Sequence, residues 1–293
     1  MSGRRTPVIP LSGRGRVLLI AVSVLGAASL AWPFVWHASS GASQAHGGDA
    51  PFELLLLVPV LLGLCASEIA RGRLDARGIA VLGILAACGT ALRIPSPGVA
   101  GFEPMFFLLI LAGRVYGAGF GFALGGLTML TSAVVTGGVG PWLPFQMLAA
   151  GWVGAGAALL PAVGGRAERV LLAAYAAVAC LIYGMVMNLW FWPFGAGGST
   201  GISYIPGASA ATNLQHFMIF DLSTSMGFDL PRSVINAVLI LVLGAPVLAA
   251  LRRSARRAAF GAAVRHPNGT ESGGQNVATD AAPELRSEVT EPA

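Results

Sequence analysis

The sequence predicts an all-α, polytopic integral membrane helical bundle, and three observations carry that expectation. Of the 293 residues, 55% are hydrophobic and only 11% are charged, whereas a soluble domain carries about 25% charged residues to face water. The apolar residues fall in runs of about 20, the length that crosses ~30 Å of hydrocarbon at 1.5 Å per residue. The 18 basic residues are all arginine, and they sit in short clusters between those runs, as topology signals do.

Eight spans follow in order: 17–36, 52–70, 78–93, 104–115, 117–136, 143–164, 169–192 and 231–251. The first is preceded by Arg4, Arg5, Arg14 and Arg16 and ends in Trp32, Pro33, Phe34 and Trp36. It is too long for the h-region of a cleaved signal and closes on an interfacial aromatic anchor, so it reads as a retained helix. The third span starts just after the Arg71–Arg77 loop. It carries a stripe of small residues, Ala76, Ala80, Gly83 and Ala87, whose spacing keeps them on one helix face. In the fifth, Gly117, Gly121 and Gly125 recur every four residues and let a neighbouring backbone approach closely.

The sixth span opens with Gly140-Pro141-Trp142-Leu143-Pro144-Phe145-Gln146-Met147, a proline-marked helix entry. Trp142 suits headgroup level there, and Gln146 falls in the first turn. Asn188 and Asn236 lie in the seventh and eighth spans, where an amide is costly without a hydrogen bond, so both should face the bundle interior, bonded to each other or to a ligand. Residues 193–230 are expected as a large loop. Residues 258–293 are polar, without apolar periodicity, and read as a disordered tail.

Counting arginines on alternate sides of the eight spans places sixteen on one side and only Arg93 and Arg232 on the other. That asymmetry predicts both termini in the cytoplasm and a cell-membrane location. The outer side then holds Arg93, Glu103, Asp221, Asp229 and Arg232 beside Trp142, Trp190, Trp192, Tyr204 and His216. The two outer arginines either form ion pairs with Glu103, Asp221 or Asp229 that pin the loops, or meet an anionic or carbonyl group of a solute. Gln146, Asn188, Asn236 and the outer aromatics would together suit a ring-bearing, hydrogen-bonding solute.

Several functions are excluded or disfavoured. The sequence pI of about 9.7 reflects clustered topology arginines, not a basic stripe interleaved with aromatics, so no nucleic-acid partner is expected. Cys65, Cys88 and Cys180 all lie in apolar segments without CxxC spacing, which fits buried thiols better than a metal site or a disulfide framework. There is no HExxH, GxSxG, Walker A or DDxxD-type string, so no catalytic residue, metal or cofactor is assigned, and ATP-driven work would need a partner protein. The inner halves of the spans carry almost no ionisable group, which disfavours a self-powered secondary transporter.

The run from Gly101 to Leu160, with "AGRVYG" and "GPWLPFQM", resembles the membrane-embedded substrate-binding S component of energy-coupling factor (ECF) transporters. Looser agreement in helix count and loop placement extends from about Ala76 to Leu251. The resemblance implies a six-helix core at 76–257, preceded by an N-terminal segment with two extra transmembrane helices at 1–75 and followed by the tail at 258–293. It further implies capture of a vitamin or related micronutrient, with a separate transmembrane coupling subunit and two ATPase subunits driving release inward. By the same resemblance the small-residue face at Ala76, Ala80, Gly83 and Ala87 docks the coupling subunit, where spacing alone fits packing within the bundle equally well. The solute would lie near Arg93, Glu103, Trp142, Gln146, Asn188, Trp192 and Asn236. The length of the 193–230 segment leaves room for a bulky ligand such as cobalamin. The alternative is a membrane enzyme or scaffold acting on a lipid-linked substrate, with His216, Asp221 and Asp229 as acid or base groups beside the outer arginines.

Overall fold

A computed structural model describes residues 8–9, 11–35, 76–95, 101–195 and 201–260. These form eight helices: α1 (Gly13–Val35), α2 (Ala76–Arg93), α3 (Met105–Tyr116), α4 (Ala118–Thr136), α5 (Leu143–Ala157), α6 (Gly165–Gly195), α7 (Ala210–Thr224) and α8 (Met226–Phe260). No strand occurs among the described residues. Five helices, α1, α2, α4, α6 and α8, are long and apolar enough to cross a membrane, so the all-helical, multi-pass membrane class holds. The expected span 52–70 and nearly all of the 258–293 tail lie outside the described residues.

The short helix α3 is the centre of the bundle. Its twelve residues are apolar on every side apart from Arg114, and eleven of them are buried, the pattern of a helix enclosed by others. At 1.5 Å per residue it spans only about 18 Å, too little to cross hydrocarbon alone. It is bounded by Pro104 and by Gly117, whose φ of 111° turns the chain directly into α4. Around it stand α2, α4, α5, α6 and α8, each in contact with α3.

Glycine sets the closest approach in this ring. A β-carbon on Gly121 or Gly125 of α4 would overlap the backbone of α5 at Gly154 or Ala150, and one on Gly154 would overlap Gly121 in return. Two of the three glycines in the α4 stripe therefore act as expected, holding two backbones together where lipid offers no hydrophobic drive for association. Gly117 does not, since it forms the α3–α4 corner instead.

The α1 helix covers one flank. It packs on α4, α5, α6 and α7, with Trp152 donating its indole N–H to Ser23 Oγ at 2.9 Å. The backbone N–H of Ile9 donates to Tyr116 O at 3.1 Å at one end of the bundle, and Phe34 stacks on Trp192 at the other. Helix α2 packs on α3 and α4. There Gly78, Leu82, Leu85, Ala86, Gly89, Thr90 and Arg93 face the core, while Ala76, Ala80, Gly83 and Ala87 all face outward and Gly83 meets nothing within 4 Å. The small-residue stripe is thus an open face among the described residues.

Three expectations need correction. The sixth span ends at Ala157, not 164, because the chain turns at 158–160 and passes through Pro161 towards α6. Residues 193–230 are not a loop throughout, since α7 occupies 210–224 with Ser209 as its N-cap, accepting the Thr212 N–H. That helix takes up the length on which room for a bulky solute was argued. Cys180 is buried as expected of a small hydrophobe, but Cys88 lies on the exposed side of α2.

Candidate functional site

The two ends of the bundle differ in chemistry. At the end holding Arg114, the carboxylate of Glu168, 1% exposed, accepts from Arg114 Nε at 3.1 Å and from Arg252 Nη2 at 2.7 Å. Arg114 also donates to the carbonyls of Leu160 and Pro161, so the arginine of "AGRVYG" ties α3 to the α5–α6 turn, to α6 and to α8. Its Nε and one N–H on each of Nη1 and Nη2 are engaged within the framework, which commits the side chain to tying helix ends together.

The other end holds a larger buried polar cluster. Glu103 reaches both outer arginines, accepting from Arg232 Nε at 2.7 Å and from Arg93 Nε at 3.4 Å. Arg232 also donates to Asp229 Oδ1 and lies over the Tyr183 ring, 5.2 Å from its centroid. Arg93 donates to Ser132 Oγ at 3.0 Å. Four helices, α2, α4, α6 and α8, are joined in this way to the turn before α3, and all four charged side chains are at least 91% buried.

Helical periodicity puts Asp229, Arg232, Ser233 and Asn236 on one face of α8, at i, i+3, i+4 and i+7, and each is buried. Asn236 serves the framework. Its Oδ1 accepts the Phe107 N–H at 2.7 Å, one of the donors at the start of α3 that has no partner within its own helix. Its Nδ2 donates to the carbonyls of Glu103 and Arg232. Asn188 makes no bond to Asn236 and instead donates to Asp221 Oδ1 at 2.7 Å and to Ser225 Oγ.

Gly184, Asn188 and Trp192 follow one another at successive turns of α6. The Asp229 carboxylate sits where a Gly184 β-carbon would be, and Asp221 sits by Asn188. Trp192, fully buried, donates its indole N–H to Ile202 O at 2.6 Å. Its ring meets Phe34, Tyr204 and Phe217 at centroid distances of 6.2, 5.5 and 5.4 Å. This aromatic cluster joins α1, α6, α7 and the 201–209 turn, and burial there pushes the Tyr204 phenol above its ordinary pKa.

Trp142 is exposed at the rim, donating to Gly138 O and meeting Trp190 edge-on. Gln146 is half-buried one turn into α5, and no described residue bonds its carboxamide. The seven expected solute contacts are therefore not equivalent. Arg93, Glu103 and Asn236 are engaged with one another through the framework, Asn188 and Trp192 line the α6 stripe, and Trp142 and Gln146 stand at the α5 entrance.

The groups invoked for an enzyme do not form a catalytic pair. His216 Nδ1 lies 2.8 Å from Ser203 O, while Asp221, five residues on, is turned about 140° around α7. Sequence reasoning left α7 and the Asp229–Gly184 contact unread. The Ser209 N-cap and the paired Phe217 and Phe220 were signals for the helix, whereas a contact between residues 45 positions apart leaves no local mark.

A family model described as "ECF transporter, substrate-specific component" matches residues 77–244, more than half of the chain. No curated protein and no solved structure matches it.

Proposed function

The chain belongs to the substrate-specific components of ECF transporters, and from that premise we propose that it captures a vitamin or related micronutrient at the Arg93 end of the bundle and does no covalent chemistry of its own. That family consists of membrane transporter subunits, so an association with a coupling subunit and ATPases goes with membership. The reading places the Arg93 end outside the cell and both termini in the cytoplasm, in keeping with sixteen arginines against two.

The observation that carries the proposal is the contrast between the two ends. The Arg114 end is tied by an ion-paired network in which Arg114 and Arg252 share Glu168 and join α3, α6 and α8. The Arg93 end has a rigid ion-paired floor, beyond which polar groups with free hydrogen-bonding capacity, Asn188 and Gln146, lie beside an aromatic roof. A site of fixed polar groups beside flat apolar faces suits a small ring-bearing solute. Here Asn188, Trp192, Trp142 and Gln146 contact the solute, and Arg93, Glu103 and Asn236 hold the floor.

Inward release requires a state of lower affinity, and a partner can favour that state only by differential contacts with it. The outward-facing stripe of Ala76, Ala80, Gly83 and Ala87 supplies a surface against which a helix of the coupling subunit can approach closely. Among the described residues no helix covers this face, and α1 packs instead on α4, α5, α6 and α7.

The test has two arms. Full-length protein purified from cells grown in rich medium is denatured and the released small molecules are identified by mass spectrometry. Uptake of that solute is then measured with and without the coupling and ATPase subunits. A stoichiometric solute and uptake that depends on those subunits support the reading. No solute, together with turnover of a lipid-linked substrate by the purified chain, overturns it. Orientation is read from Gly201→Cys, at an open position, labelled by a membrane-impermeant maleimide in intact cells over the background of the native cysteines. Protection of that residue reverses the assignment of sides.

A further inference from the structure

The charge of the solute can be read from the Arg93 end, an inference that rests on the capture reading above. Both arginines there are already matched. Arg93 and Arg232 share Glu103, and Arg232 also holds Asp229. These four charges cancel, so the framework offers an anionic solute no spare cation.

Asp221 remains. It is 5% exposed and its described side-chain partner is the neutral amide of Asn188. No other arginine lies at this end among the described residues, and Asp221 is close enough to Asp229 for their charges to repel. The buried cluster thus holds three carboxylates against two arginines, one carboxylate in excess, in surroundings where an unmatched charge is costly.

Hydrogen-bonding capacity points the same way. Asp229 Oδ2 and Ser233 Oγ are buried without a partner, on side chains each 2% exposed. No described donor reaches Asn188 Oδ1 or the second oxygen of Asp221. Gly184 and Asn188, against which the two aspartates lie, are one helical turn apart, a rise of about 6 Å. The vacant capacity is therefore mostly acceptor capacity, gathered along one stripe of α6 and roofed by Trp192. A site rich in acceptors, poor in donors and holding one carboxylate more than its arginines is complementary to a cation that donates hydrogen bonds or presents a positive face.

We propose that the captured solute is a cation, a protonated amine or a ring with a quaternary nitrogen, and that Asp221 is its counter-ion, positioned by Asn188 and Ser225 with Asp229 one turn deeper. This assigns the two outer arginines to the framework and gives recognition to a carboxylate on α7.

Three probes of one ring system separate the charge classes: 1-methylnicotinamide as cation, nicotinamide as neutral ring and nicotinate as anion. Full-length protein in lipid nanodiscs is titrated with each at constant ionic strength, read by tryptophan fluorescence and the melting midpoint. The cation is expected to act at concentrations at least about tenfold below the other two, the scale of one charge-assisted hydrogen bond. Asp221→Asn, which keeps shape and removes charge, should abolish that preference. Equal or better binding of nicotinamide or nicotinate overturns the proposal, as does a flat response to all three or an unchanged preference in a folded Asp221→Asn. The wild-type ranking stands by itself should the variant fail to fold. The solute released from purified protein keeps the two readings apart. A neutral or anionic solute sinks the charge assignment and leaves capture standing, a cationic one supports both, and the release of none, with flat titrations, removes both.

Discussion

Glu103→Gln tests the ion-paired floor most directly, because one carboxylate serves two arginines on different helices. In the folded protein Glu103 Oε2 lies 2.7 Å from Arg232 Nε and Oε1 lies 3.4 Å from Arg93 Nε. At an effective dielectric of about 20, a charge pair at ~4 Å interacts by about 4 kcal/mol before desolvation is subtracted. The substitution leaves Arg232 with Asp229 but strands Arg93 with only the neutral Ser132 hydroxyl. Removing one partner of a buried pair costs about 3–5 kcal/mol, roughly a hundredfold to several thousandfold in the unfolding equilibrium.

The assay is thermal and chemical unfolding in detergent micelles, followed by tryptophan fluorescence with far-ultraviolet circular dichroism as a check on helix content. Glu103→Gln should unfold at a clearly lower midpoint. The Glu103→Gln, Arg93→Gln double variant, whose cluster returns to the original net charge, should recover part of the loss through coupling of about 0.5–3 kcal/mol. A wild-type midpoint for the single variant would refute the reasoning, as would a double variant no more stable than the single one. Were Glu103 a direct solute contact instead, the single variant would lose solute binding at an unchanged midpoint.

Three further outcomes are expected. Gly121→Val places two methyl groups against the α5 backbone at Gly154, and overpacking of this kind costs about 1–3 kcal/mol or more, so the protein should be recovered in low yield or aggregated on size-exclusion chromatography. Gly83→Val, by contrast, meets nothing within 4 Å and should leave the melting midpoint of the isolated chain within about 1 kcal/mol of wild type, while co-purification with the coupling subunit and uptake are lost. Normal uptake by that variant would remove α2 as the docking face. Asn236→Ala strips the α3 amide at Phe107 of its acceptor, and an orphaned buried donor costs about 1–3 kcal/mol, read as a lowered midpoint and faster deuterium exchange at the start of α3.

Membrane class was legible because composition and run length answer to the solvent, and the solvent acts on each segment separately. The α4 glycine stripe was legible for a similar reason, since a four-residue period is a local statement about one helix face. The same period could not tell which glycine turns a corner, and Gly117 does so only because α3 stops short beside it. Helix α7 was missed because its polar residues, Asn213, His216 and Asp221, break an apolar run without breaking a helix, and its buried face is aromatic and contributed to by α1.

By itself the sequence determined that the chain is suited to a bilayer and which residue types are available at the Arg93 end. Only the tertiary structure decided how those residues are used. It brought Arg93 and Arg232, 139 positions apart in the chain, to the one carboxylate of Glu103, turned the small-residue face of α2 outward, and left Asp221 without a cation among the described residues. Partition into lipid is additive along a chain and can be summed residue by residue. Pairing of charges depends on which helices meet, and that is set by packing of the whole bundle around α3.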